Sequence, residues 1–280
     1  MKYQFYCCMD EDPVVINFLK TKKIKYETGS IANRIYFTVY SDTENSDELL
    51  DYVKTLPETS ISKSSIFSNQ EMEEANWFLL YVTRMGIDTK NVKYTYDAKC
   101  PFITSYGMQR HYHLEQVNPF VSKKTPKWKK GYQFCSVETG FMTRIFCSDF
   151  AKESIKKSEI TGVEFMKVLK GDLETETLDV SQLVFKNKLP LEAYTFIGDY
   201  QEFVCPSCGR INYIFTEPNC DNIRLNMDMI PKGIDAFGSQ IVFGGGFGDE
   251  PIVISKKFYN LITKELKENP KHIKCYPINY

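Results

Sequence analysis

The chain has 280 residues, of which 42% are hydrophobic and 25% charged, and a formal net charge of −1. That is the composition of an ordinary globular protein, long enough for one large or two modest domains. It provides no global field to recruit nucleic acid or a membrane, and no window approaches the roughly 18 apolar residues of a membrane span.

In chain order, YQFYCCM (3–9) and NRIYFTVYS (33–41) are rich in aromatic and branched residues and predict strands. SDELLDYVKTLP (46–57) predicts a helix with Ser46 as N-cap. Asp47 and Glu48 lie in its positive first turn, Leu49, Leu50, Val53 and Leu56 form one apolar stripe, and Pro57 is the stop. Ser68 and Glu71 form a capping box for a short helix, and WFLLYV (77–82) predicts a buried strand. Residues 144–168 and 251–278 form a weak repeat. Each has a strand ending in serine (Ser148, Ser255), a Phe two or three residues on, a helix capped by that serine, and a second strand. Three strand–helix–strand units predict a mixed α/β fold around mixed sheets. The expected division is an N-terminal α/β region over 1–90 and a C-terminal α/β region over 91–280 that contains the cysteine motifs.

Charge is uneven along the chain. Residues 1–90 carry 10 Lys/Arg against 14 Asp/Glu, 91–134 carry 8 against 2, and 135–280 carry 17 against 20. The basic excess is concentrated in VSKKTPKWKKGY (121–132), the one stretch that suits a polyanion. A solvated loop is the plainer reading, because only Trp128 offers a stacking platform. The start, MKYQFYCCMDEDP, has one lysine and no apolar segment of the kind a secretory leader needs, so a cytoplasmic protein is expected. There, nine cysteines stay reduced unless they hold metal or do redox work. Cys7, Cys8, Cys135 and Cys147 sit in apolar, strand-like runs and are expected to be buried small hydrophobes.

CPSCGR places Cys205 and Cys208 at the spacing of a zinc knuckle, with Pro206 presetting the turn and Gly209 tolerating a positive φ after the second sulfur. A structural turn and a redox pair are the alternatives. The redox reading is the weaker, since INYIF follows and is β-like, whereas a redox CxxC usually opens a helix. Two further ligands are needed for structural zinc, and Cys100, His111, His113 and Cys220 are the candidates. FGGGFGDEPIVIS (243–255) does not fit a phosphate loop, because it leads into a strand and lacks the Gly-Lys-Ser/Thr ending. No nucleophile–base pattern is present: there is no G-x-S-x-G, and outside the 111–113 pair the only histidine is His272.

From about residue 65 onward the chain resembles the bacterial proteins with a double CxxC(G) motif. The carriers are IFSNQEMEEANW, YDAKCPF with Gln109 and a later NPF, KKTPKW, ITGVEFMKVL, CPSCGR and IVISKKFYNLI. This loose group includes immunity proteins that neutralise toxins passed between competing bacteria. The resemblance implies structural zinc held by Cys100, Cys205 and Cys208, and a cognate protein toxin as partner. It also implies a non-enzymatic mode of action, occlusion of that toxin. The chain departs from the pattern at Ile103 and Thr104, which stand where the first motif has its second cysteine and glycine. A zinc-ribbon protein associated with nucleic acid, or an enzyme without a recognisable motif, is the alternative.

Overall fold

The computed structural model describes residues 2–29, 33–87, 94–95, 115–116, 119–122, 125–137, 144–171, 177–197, 200–204, 211–215, 223–239 and 251–278. It is a mixed α/β protein, richer in strands than in helices. Two compact units divide the chain, Met1–Glu73 and Glu74–Tyr280. The division falls ahead of the boundary expected near residue 90. The strand Trp77–Val82 is hydrogen-bonded between Ile252–Ser255 and Ile273–Pro277, which ties it to the C-terminal chain.

The first unit runs β1 (Lys2–Asp10), α1 (Pro13–Thr21), β2 (Tyr26–Thr28), β3 (Arg34–Tyr40), α2 (Ser46–Thr55) and β4 (Ser60–Ile66). The strands form an antiparallel sheet in the order β2-β3-β1-β4. Alternation along β1 and β3 turns Cys7, Met9, Ile35, Phe37 and Val39 to one face. There they pack against Val15 and Leu19 of α1 and Leu49, Leu50 and Val53 of α2. Both helices therefore cover the same side of the sheet.

Helix α1 has no counterpart among the sequence expectations. Asp12 caps it, accepting the Val14 and Val15 N–H groups at 2.9 and 3.0 Å, with Pro13 at the first helical position. In α2 the N-cap is Asn45 and not Ser46. Asn45 adopts a left-handed conformation (φ 61°), which asparagine tolerates better than most residues, and Ser46 becomes the buried first residue of the helix. The capping box of α3 (Asn69–Glu74) forms as expected: Glu71 Oε2 accepts the Ser68 N–H at 2.7 Å, and the Ser68 hydroxyl accepts the Glu71 N–H at 3.2 Å.

The second unit contains two large sheets among the described residues. One runs Met85–Ile87, Phe134–Val137, Phe146–Ser148, Thr177–Val184, Glu164–Lys170, Val121–Ser122. The other runs Lys188–Leu189, Ala236–Ser239, Ile252–Ser255, Trp77–Val82, Ile273–Pro277. Each mixes parallel and antiparallel pairs. The two repeat segments occupy matching places. Phe146–Ser148, α4 (Asp149–Lys157) and Glu164–Lys170 straddle Thr177–Val184, while Ile252–Ser255, α5 (Lys256–Asn260) and Ile273–Pro277 straddle Trp77–Val82. In the first unit β3, α2 and β4 straddle β1 in the same way. Ser148 and Ser255 cap their helices through the N–H groups of Ala151 and Phe258. The repeat's phenylalanines differ: Phe258 is fully buried, whereas Phe150 is 64% exposed.

Candidate functional site

Both helices lie on one face of the first sheet, and neither covers its other face. The even-numbered residues of β1 and β3 occupy it: Gln4, Tyr6 and Cys8 lie beside Tyr40, Thr38 and Tyr36, and Ser64, Ser62 and Ser60 of β4 complete the rows. Tyr6 is 46% and Tyr40 39% exposed; Tyr6 lies on a strand paired on both sides, and Tyr40 is paired with Gln4 of β1. The Tyr6 and Tyr36 rings lie 6.4 Å apart, and Lys2 Nζ sits 4.7 Å from the centre of the Tyr40 ring. A hydrogen bond with the Cys8 thiol is the main influence raising the Tyr36 phenol above its ordinary range.

A groove of about 520 Å³ borders this face. It is lined by Tyr6, Tyr36, Thr38 and Tyr40 on the sheet side and by Lys23 and Lys25 on the chain that leads into β2. Its volume falls within the range of about 300–1,000 Å³ typical of ligand sites.

Among the described acids of the second unit Glu268 is strongly perturbed, and it has a structural task. Its carboxylate accepts the Gln133 N–H at 2.9 Å, and burial pushes its pKa up to about 7. A π-helical turn, Leu261–Glu265, and a left-handed Lys267 (φ 52°) bring it inward. The Gln133 side chain takes a hydrogen bond from the Ser148 hydroxyl and donates to the Lys129 carbonyl. Nearby, the Arg84 guanidinium donates to the carbonyls of Lys127, Tyr132 and Phe134 at 2.6, 2.9 and 3.3 Å. The groups of this network are spent on holding backbone segments together. No local sequence signal marks it, since Glu268 and Gln133 are 135 positions apart.

The basic run is built into the same region over residues 125–132, while 123–124 lie outside the described residues. Trp128 donates its indole N–H to the Asp179 carbonyl at 3.2 Å and packs on the core around Phe120 and Phe146. Arg84 lies over both Trp128 and Tyr132, at 5.4 and 5.5 Å from the ring centres. The stacking platform is thus engaged inside the unit.

The expected metal ligands Cys100, Cys205 and Cys208 lie outside the described residues, as do His111, His113, Cys220 and residues 243–250 of the glycine-rich stretch. The flanks of CPSCGR are described: Tyr200–Val204 and Ile211–Phe215 pair antiparallel, with Val204 opposite Ile211. The β character of INYIF is therefore observed. Among the described residues no group of three or more His, Cys, Asp or Glu is arranged to hold a metal ion. Cys7, Cys135 and Cys147 are buried as expected, whereas Cys8 is only half-buried.

No protein-family model matches the chain, and no curated protein matches it.

Proposed function

We propose that this is a non-enzymatic immunity-type protein of the cytoplasm, which neutralises a cognate bacterial toxin by occluding it through the open face of the first sheet. One observation carries the reading: Tyr6 and Tyr40 stand exposed on a face that neither helix covers, Tyr6 on the central strand of three and Tyr40 paired beside it to Gln4. Exposed aromatics on a rigid platform are the usual anchors of tight protein interfaces, because little side-chain freedom is lost when they are covered. Zinc at Cys100, Cys205 and Cys208 has a structural part only in this reading.

The test is purification of the tagged full-length protein from its host at moderate salt, with bound material identified by mass spectrometry. One stoichiometric protein is expected, and its expression alone is expected to arrest growth unless this chain is co-expressed. Recovery of nucleic acid in a salt-sensitive complex would instead favour the zinc-ribbon alternative.

A further inference from the structure

The groove beside β3 is rich in hydrogen-bond donors and poor in acceptors. Six donor side chains line it: Lys23, Lys25, Tyr6, Tyr40, Thr38 and Thr43. Among the described residues none of the six makes a side-chain hydrogen bond or an ion pair. Glu27, opposite Tyr36 in the β2–β3 ladder, is the one carboxylate in the described lining.

The two lysines differ from most others of their unit. Lys2, Lys22 and Lys54 are paired with Asp42, Glu44 and Asp51 at 2.6, 2.6 and 2.9 Å, and Lys63 lies 4.0 Å from the centre of the Tyr3 ring. Lys20, Lys23 and Lys25 have no such partner among the described residues, and the last two are exposed on the groove wall. The end of α1 holds the chain that carries them. Lys23 is left-handed (φ 55°) and its N–H donates to the Lys20 carbonyl at 3.1 Å, while the Ile24 N–H donates to the Leu19 carbonyl at 2.8 Å.

Charge selects the occupant. Residues 1–73 carry 8 Lys/Arg against 12 Asp/Glu, a net of −4. An acidic partner is therefore repelled by the unit as a whole and admitted at the groove, which fixes its orientation on docking. A polyphosphate chain fits less well: the lining has no arginine fork, and Glu27 opposes a dense run of negative charge.

We infer that the groove takes carboxylate side chains from an acidic surface loop of the protein partner, held between the Lys23 and Lys25 ammonium groups and the Tyr6 and Tyr40 hydroxyls. The lysines supply attraction, and the hydroxyls supply donors that a carboxylate can accept without displacing an internal bond. The inference rests on the binding role proposed above and adds the chemistry of the surface that is bound.

The probe is a fluorescein-labelled, acetylated and amidated peptide of alternating glutamate and serine, titrated by anisotropy against the full-length protein. Its glutamine counterpart and a labelled oligothymidylate are titrated beside it. Saturable binding of the glutamate peptide is expected, weaker at high salt and tighter than that of either comparison probe. Lys23→Glu together with Lys25→Glu is expected to weaken it about tenfold or more. Lys264→Glu together with Lys271→Glu makes the same charge change on exposed lysines outside the groove and is expected to leave it unchanged. Tyr6→Phe together with Tyr40→Phe keeps both rings, removes both hydroxyls and is expected to weaken it several-fold. Absence of binding, equal binding of the glutamine peptide, or equal loss in the two lysine variants overturns the inference. Tighter binding of the oligothymidylate also overturns it and makes the groove a nucleic-acid site. A host partner recovered equally well by the Lys23, Lys25 variant overturns it while leaving the tyrosine-face reading intact. Peptide binding with no host partner recovered supports the groove chemistry and removes the immunity reading.

Discussion

The Glu268 carboxylate, 7% exposed, accepts the backbone N–H of Gln133 at 2.9 Å and so ties the chain after α5 to the strand Phe134–Val137. Burial is the largest influence on this group and raises its pKa from 4.5 to about 7, while the backbone N–H of Gln133, Arg84 and the backbone N–H of Phe134 pull the other way. The folded chain therefore binds this proton more tightly than the unfolded chain. The corresponding stability is fully present below about pH 4.5 and is lost as pH rises through about 7.

At 1.36 kcal/mol per pKa unit, that difference amounts to about 3 kcal/mol. Denaturant unfolding of wild type and Glu268→Gln, compared from acid to neutral pH, is expected to show wild type gaining on the variant as pH falls. Parallel curves would mean that the carboxyl titrates alike in both states. Glu268→Ala, which leaves the Gln133 N–H without its acceptor, is expected to cost about 1–3 kcal/mol in addition.

Gly162 and Gly171 both have positive φ, 84° and 59°, but their surroundings differ. A Cβ on Gly162 would lie 2.2 Å from the Ala236 carbonyl oxygen, whereas one on Gly171 meets nothing within 4 Å. Gly171→Ala is expected to cost about 1–2 kcal/mol, the left-handed penalty alone. Gly162→Ala is expected to cost more than 4 kcal/mol, or to prevent folding of the second unit. Thermal unfolding of the two variants side by side checks this, and equal losses would contradict the close approach at Ala236.

Burial pushes the thiols of Cys7, Cys135 and Cys275 up to about 12, and that of Cys147 higher still. Thiolate is the reactive form, so these four are expected to resist iodoacetamide in the native protein and to react after denaturation. Peptide mapping by mass spectrometry reads each site separately. Rapid native labelling of Cys135 or Cys147 would contradict the packing around them.

The resemblance carried by CPSCGR predicts one zinc per chain, measurable by elemental analysis of protein purified without chelator. Cys205→Ser with Cys208→Ser is expected to release it and to lower the melting temperature. Unchanged metal content in that variant would remove both residues from the ligand set.

Much of the framework was legible because its signals are local. Ser68 with Glu71, Ser148 and Ser255 announce helix starts within four residues, and the aromatic and branched runs of β1, β3 and WFLLYV announce strands. The Asp12–Pro13 start of α1 was equally local, but the short stripe of Val15 and Leu19 after it is easily read as coil. Ser46 was misplaced because serine and asparagine both suit the cap. The tight turn out of β3 needs a left-handed residue there, which favours Asn45. The open tyrosine face was not legible, since it depends on α1 and α2 choosing the same side of the sheet. Glu268 pairs with Gln133 through chain closure, which no window of sequence contains. Cys100, Cys205 and Cys208 remain a reading of spacing and resemblance.

The most direct measurement is the affinity of the purified host partner for wild type and for the Tyr6→Ala, Tyr40→Ala double variant, both full-length and both shown to be folded by circular dichroism. Interface anchors of this kind cost about 2 kcal/mol or more each when truncated, so a loss of at least a hundredfold is predicted. Equal affinity for the two proteins would contradict the assignment of the open sheet face as the toxin-binding surface.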